Sequence, residues 1–168
     1  MSEGVRAGVL LDRDGVLTRM REDYVKSWDE VEVLPGAPDA VARLCAAGYP
    51  VAVVSNQSAV GRGLMTLDVL NSIHRRLDAI IRAAGGEISE YLVCPHHPDA
   101  GCECRKPRPG LLREAAQRLD LNLRRTYMVG DQPSDVLAAL RARCRPILLP
   151  RDGADLGAAV DYILAQSN

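Results

Sequence analysis

Short apolar runs alternate with helix-period patterns along almost the whole chain. Val5 to Leu11, Pro50 to Asn56, Glu90 to Cys94, Arg125 to Gly130 and Arg145 to Pro150 are of strand length and rich in apolar residues, which predicts five strands. Between them, apolar positions recur at helical spacing. Val41, Leu44 and Cys45 share a face of a segment with Pro38 near its start and Gly48 at its end. Leu70, Ile73, Leu77, Ile80 and Ile81 share a core-facing side of a helix over Thr66 to Ala84, stopped by Gly85 and Gly86. Pro109 to Leu119, Pro133 to Arg141 and Ala154 to Ala165 read as the remaining helices. Apolar strands separated by helices imply an α/β fold, a doubly wound parallel sheet covered on both faces. One domain over residues 1–168 is expected, because the length suits a single core and no repeat or linker interrupts it.

In open parallel sheets, ligands bind beyond the carboxyl ends of the strands. The first strand is followed by Asp12 and Asp14, the second by Ser55, Asn56 and Gln57, the third by a loop leading to Lys106, and the fourth by Asp131 and Asp135. Two aspartates two residues apart point the same way while the chain stays extended. With Asp131 they make an oxygen-rich pocket of the kind Mg2+ takes. A hydroxyl at a strand end followed by free backbone N–H groups can cradle a phosphate, and it reads equally well as a turn or a helix cap. Each motif is short and common alone; their order after successive strands is the stronger signal.

Two connections are long, Asp12 to Pro38 and Cys94 to Arg108, and long ordered loops are usually functional. The second reads CPHHPDAGCECRKP and holds three of the five cysteines with two histidines. Such a cluster argues for a metal in a reducing compartment rather than for disulfides. Whether that metal is a catalyst or holds the loop is open at this point. Cys45 and Cys144 read as small buried or half-buried residues, and His74 as a surface residue of its helix.

Charge narrows the classes of function. The formal net charge is -1, without the basic footprint of a nucleic-acid partner. No apolar run has the length of a membrane span, and the first residues, MSEGVRAG, lack a signal-peptide core, so a cytoplasmic location is expected. A monomer is expected as well.

The motifs LLDRDGVL, VVSNQ, Lys106 in CRKPRPG, and MVGDQPSD resemble, in order, the four motifs of the haloacid dehalogenase-like phosphatase superfamily, over about Val5 to Gly153. Taken together, LDRDGVL, SNQS, CPHHP and CECRKPRPGLL are similar to the D-glycero-D-manno-heptose 1,7-bisphosphate phosphatases and to their relatives, the histidinol-phosphate phosphatases. The resemblance implies a phosphatase without a separate cap domain, acting on a small phosphorylated sugar through an aspartyl-phosphate. It implies Asp12 as nucleophile and Asp14 as general acid and base. Mg2+ would be held by Asp12, Asp131 and the backbone of Asp14, and the phosphoryl oxygens by Ser55 and Lys106. Asp135 would orient the lysine or a metal-bound water rather than bind the metal directly. Substrate contacts would come from Arg13, Asn56, Gln57, Ser58, Arg105 and Gln132. Cys94, His96, Cys102 and Cys104 would hold a structural Zn2+, with His96 preferred to His97. Two positions depart from the heptose enzymes: Gln132 stands where Lys is common, and Thr18 where Asn is common. Both bear on which sugar phosphate is used.

Overall fold

The computed structural model describes residues 5–150 and 155–167. Strands β1 (Val9–Leu11), β2 (Val51–Asn56), β3 (Glu90–Cys94), β4 (Tyr127–Gly130) and β5 (Arg145–Leu148) form one sheet, all parallel, in the order β3-β2-β1-β4-β5. The helices are α1 (Ala37–Ala46), α2 (Ser58–Gly61), α3 (Leu67–Ala83), α4 (Gly110–Leu119), α5 (Pro133–Ala142) and α6 (Leu156–Ala165).

Alternation along β1 explains the two layers. Val9 and Leu11 point into a cluster with Leu44, Leu77, Ile81 and Val160, built by α1, α3 and α6. Leu10 points the other way, to Leu111, Leu112, Ala115, Ala138 and Ala139 of α4 and α5. With both faces covered, the central strands need apolar residues at every position, which is why they read as unbroken runs. β5 is the exception. It pairs only with β4, much of it is exposed, and it carries Pro146, whose missing N–H suits an edge.

The start of β1 and the inner face of α3 differ from expectation. β1 begins at Val9 rather than Val5, because the preceding chain pairs elsewhere: Arg6 N–H bonds Asp120 O, and Arg6 O accepts from Asn122 N–H at 2.8 Å. Ile80 of α3 is partly exposed, whereas Leu70, Ile73, Leu77 and Ile81 are buried. The expected start of the last helix at Ala154 lies outside the described residues; the helix is seen from Leu156, capped by Asp155.

No separate cap domain interrupts the described residues. The connection after β1 folds instead as a flap, in which Arg19 N–H bonds Glu32 O at 2.8 Å and Leu34 N–H bonds Leu17 O at 2.9 Å. Val25 and Trp28 pin the flap against Ala59, Met65, Leu70 and Ile73. No helix among the described residues is long and apolar enough to cross a membrane.

The chain runs outward from β1 to β2 and β3, then returns to place β4 on the other side of β1. The crevice at this reversal, beyond the carboxyl ends of β1, β2 and β4, is where this kind of sheet takes a ligand.

Candidate active site

That crevice is an open cleft of about 280 Å3, lined by Asp12, Asp14, Met20, Asn56, Arg105, Lys106, Asp131, Gln132, Ser134 and Asp135. Seven of the residues singled out from the sequence as ligand contacts or catalysts are therefore together: Asp12, Asp14, Asn56, Arg105, Lys106, Asp131 and Gln132. Gly15 makes the approach of the first and fourth strand ends possible. Its φ is +83°, and a Cβ there would collide with the Asp131 carboxylate.

Lys106 is buried; it donates to Val54 O at 2.8 Å and forms ion pairs with Asp135 Oδ1 at 2.7 Å and Asp12 Oδ2 at 3.2 Å. Burial opposes its charge, but Asp12 and Asp135 outweigh that and hold its pKa above the ordinary lysine value. Its backbone is fixed as firmly. The Asn56 amide donates to Lys106 O at 3.1 Å and accepts from Lys106 N–H at 3.0 Å. Asn56, expected only as a substrate contact, thus also sets the lysine.

The carboxylates outnumber the cations in the cleft. Burial, above all, with the charges of Asp135 and Asp14, raises the Asp12 pKa despite Lys106. Burial and Asp135 raise Asp131 as well. Asp131 Oδ1 is buried with no hydrogen-bond partner. Single oxygens of Asp12, Asp131 and Asp135 lie within 4.8 Å of one another. Excess negative charge, hard oxygen donors and an orphaned oxygen fit Mg2+. Asp135 has its Oδ1 on Lys106 and its Oδ2 on Gln132 N–H at 3.1 Å, consistent with an orienting part.

Four expected contacts are absent from the cleft lining. Ser55 is fully buried, with its Oγ accepting from Gln57 Nε2 at 2.8 Å. Gln57 and Ser58 are buried too. Arg13, expected to touch substrate, is 0% exposed. In an extended chain it points opposite to its aspartate neighbours, and its guanidinium lies behind Asp14. Arg13 Nε and Nη2 donate to Asp14 Oδ1 at 3.0 and 2.9 Å, and Nη2 also reaches Asp14 Oδ2 at 3.0 Å. Gln57 Nε2 donates to Asp14 Oδ2 at 2.8 Å, and Thr18 Oγ1 to Asp14 Oδ1 at 3.2 Å. These residues hold Asp14 from below rather than line the cleft.

His74 corrects the surface expectation. It is buried, stacks on Tyr91 with ring centroids 4.7 Å apart, and puts Nε2 3.3 Å from Arg13 Nη1. Burial, chiefly, and the Arg13 charge push its pKa from 6.5 down to about 3. Between those values the unfolded chain binds a proton that the native state does not, so stability rises with pH across the window and falls below about pH 6.5. His74→Gln, which does not titrate, is expected to lose less stability than the native protein between pH 7 and pH 5. The expected difference, read by urea unfolding at both pH values, is on the order of 1–2 kcal/mol. Equal losses in the two proteins would mean that His74 protonates without cost in the fold.

The cysteine loop closes on four ligand atoms. Cys94 Sγ lies 3.5 Å from Cys102 Sγ, 2.9 Å from Cys104 Sγ and 3.4 Å from His96 Nδ1, and all four groups are within 4.8 Å of one another. Three thiols and one imidazole so gathered fit a tetrahedral Zn2+ with no position left open. His97 faces away, and its Nδ1 accepts from Asp99 N–H at 3.1 Å. The loop seats its neighbours by backbone. Gly61 N–H bonds Pro95 O at 2.7 Å, and a Cβ on Gly61 would strike the backbone of His96 and His97. Arg108 Nη1 clasps the carbonyls of Gly101 and Cys102 at 2.8 and 2.6 Å. Lys106 follows Cys104 by two residues. Beside it, Arg105 lines the cleft with a buried Nη1 that has no hydrogen-bond partner. Cys144 is buried, and that burial pushes its thiol up to about 12.

Ser134 is a cleft residue that the sequence did not single out, whereas Met20 belongs to the long connection after β1 that was expected to be functional. Gln132 Nε2 bonds both Met20 Sδ at 3.5 Å and Asp131 Oδ2 at 3.2 Å, which joins the flap to the start of α5.

A family model for haloacid dehalogenase-like hydrolases matches residues 20–143. A relative from Pseudomonas putida, named D-glycero-beta-D-manno-heptose-1,7-bisphosphate 7-phosphatase, is 43% identical over 84% of this chain and 81% of its own. One from Mycobacterium bovis, named for the alpha form of the same compound, is 39% identical over 91% of this chain and 83% of its own. The crystal structure of D,D-heptose 1,7-bisphosphate phosphatase from Bordetella bronchiseptica, complexed with magnesium and phosphate, superposes with a TM-score of 0.90 at 36% identity. It covers 96% of this chain and 99% of that one.

Proposed function

Because the chain belongs to the haloacid dehalogenase-like hydrolase family, we propose that it hydrolyses the C7 phosphate of a D-glycero-D-manno-heptose 1,7-bisphosphate through an aspartyl-phosphate on Asp12. The observation that carries this reading is the convergence of Asp12, Asp14, Lys106 and Asp131 on one open cleft at the sheet's reversal point.

Asp12 attacks phosphorus, and the P–O bond to the sugar breaks. Lys106, already 3.2 Å from Asp12 Oδ2, holds a phosphoryl oxygen as charge moves onto it. Asp14 gives its proton to the departing sugar oxygen, then takes one from the water that hydrolyses the acyl phosphate. Asp12, Asp131 and the Asp14 carbonyl would hold Mg2+, which would supply a positive charge to screen the repulsion between carboxylate and phosphate. Arg105, a cation of the cleft lining, takes the substrate's anionic part. Cys94, His96, Cys102 and Cys104 would hold a structural Zn2+, which would keep the Arg105–Lys106 segment in place.

The test is kcat/KM over a panel: both anomers of the heptose 1,7-bisphosphate, the heptose 7-phosphate and histidinol phosphate. A bisphosphate anomer is expected to lead by about tenfold or more; preference for histidinol phosphate would overturn the substrate assignment. Gln132 offers the second phosphate an amide rather than a cation. Gln132→Lys is expected to raise the preference for bisphosphate over monophosphate roughly tenfold or more, the worth of one charge-assisted hydrogen bond, about 1.5–3 kcal/mol. An unchanged ratio would mean that position 132 does not read the second phosphate.

A further inference from the structure

Arg13 and His74 lie outside the cleft, yet they bond one another and meet its floor through Asp14. The Arg13 guanidinium is planar, so the direction of its Nε–Nη2 edge is set by what holds the rest of the plane. That edge faces Asp14. Two other contacts hold the plane: Nη2 on Gln57 Oε1 at 3.1 Å and Nη1 at 3.3 Å from His74 Nε2. Gln57 bonds Asp14 directly as well, and its amide is held in turn by Ser55 Oγ at the end of β2. His74 is the anchor from another layer. It is set in α3 among the buried Leu70, Ile73 and Leu77, and its ring stacks on Tyr91 of β3 at an interplanar angle of 19°.

We propose that His74 is a positioning residue for the acid–base carboxylate, accepting from Arg13 Nη1 so that the guanidinium keeps its fork on Asp14. The proposal rests on Asp14 being the acid–base. The chemistry demands a neutral imidazole with its proton on Nδ1, leaving Nε2 as acceptor, and the burial of His74 favours that form. Without the acceptor, a buried N–H of Arg13 has no partner, the plane turns to find one, and Asp14 loses part of its support. Because a proton donor acts over hydrogen-bond distance, a small displacement of Asp14 weakens proton transfer before it affects binding.

A leaving-group comparison reads this. Up to the aspartyl-phosphate, kcat/KM for a sugar phosphate requires Asp14 to protonate an alkoxide. For p-nitrophenyl phosphate the departing phenolate needs no proton. In the Mg2+- and Zn2+-loaded protein, His74→Phe keeps the stack but removes the acceptor. It is expected to lower kcat/KM for the heptose bisphosphate by about tenfold or more, and that for p-nitrophenyl phosphate by less than about threefold. His74→Gln, whose amide oxygen can take the place of Nε2, is expected to restore the sugar-phosphate rate to within about threefold of native. If the Phe variant does not fold, His74→Met, which fills the space without an equivalent acceptor, replaces it. Equal losses on both substrates, no loss on either, or a Gln variant as slow as Phe would overturn the proposal. Asp14→Asn is the control. It should show the same asymmetry more strongly, and its absence there would reject Asp14 as the acid, and with it the part given to His74. Asymmetry in Asp14→Asn without it in His74→Phe would reject the His74 proposal alone.

Discussion

Asp12→Asn is expected to fold and to lose at least about four orders of magnitude in kcat with the sugar bisphosphate at saturating Mg2+. The amide keeps the size of the side chain but cannot attack phosphorus. Its oxygen can still accept from Arg13 N–H, as Asp12 Oδ1 does at 2.7 Å. Lys106 keeps Val54 O and Asp135. The substitution also removes a charge that burial, Asp135 and Asp14 already oppose. Thermal stability without Mg2+ should therefore equal or exceed that of the native protein. Circular dichroism, melting and kcat on one preparation separate these effects. Turnover within a hundredfold of native would mean that another group attacks the phosphorus.

The second large effect belongs to the zinc loop. Cys104→Ser is expected to reduce zinc well below one ion per chain, to speed hydrogen exchange over residues 94–107 and to lower kcat by about ten- to a hundredfold or more. Added Mg2+ should not rescue it. The loop buries little of its own: Cys94, Cys102 and Cys104 meet the core on the α4 and α5 side of the sheet, and the rest is held by backbone contacts and by Arg108. Structural zinc contributes folding free energy directly, so its loss acts where the loop has least else to rely on. Lys106, two residues on, then depends on Asn56 alone to set its backbone. Zinc content, exchange and kcat must come from the same samples. A zinc-free Cys104→Ser protein with native kcat would show that the metal does not position the lysine.

The sheet was legible because strands covered on both faces need apolar residues, and β1, β4 and the first four positions of β2 have them without a break. The site was legible because its groups follow strand ends in order, and a parallel sheet brings those ends together. His74 was misjudged by residue type against its own spacing. It falls four residues after Leu70 and three before Leu77, inside the buried stripe of α3. Arg13 carried a similar signal, since alternation sends it away from the side shared by Asp12 and Asp14. Other features had no local signal. Gln132 meets Met20 across 112 positions, and Asn56 meets Lys106 across 50. Only the folded flap and the zinc loop bring those residues to one cleft.

Whether Asp12 carries the phosphoryl group is read most directly by stopping turnover in acid within one catalytic cycle. Any acyl phosphate is then reduced with borohydride, and the peptides are mapped by mass spectrometry. Homoserine is expected at position 12, formed only with substrate and Mg2+ present and missing from Asp12→Asn. Reduction at any other carboxylate, or full turnover with no acyl phosphate on the chain at any time, would contradict the mechanism.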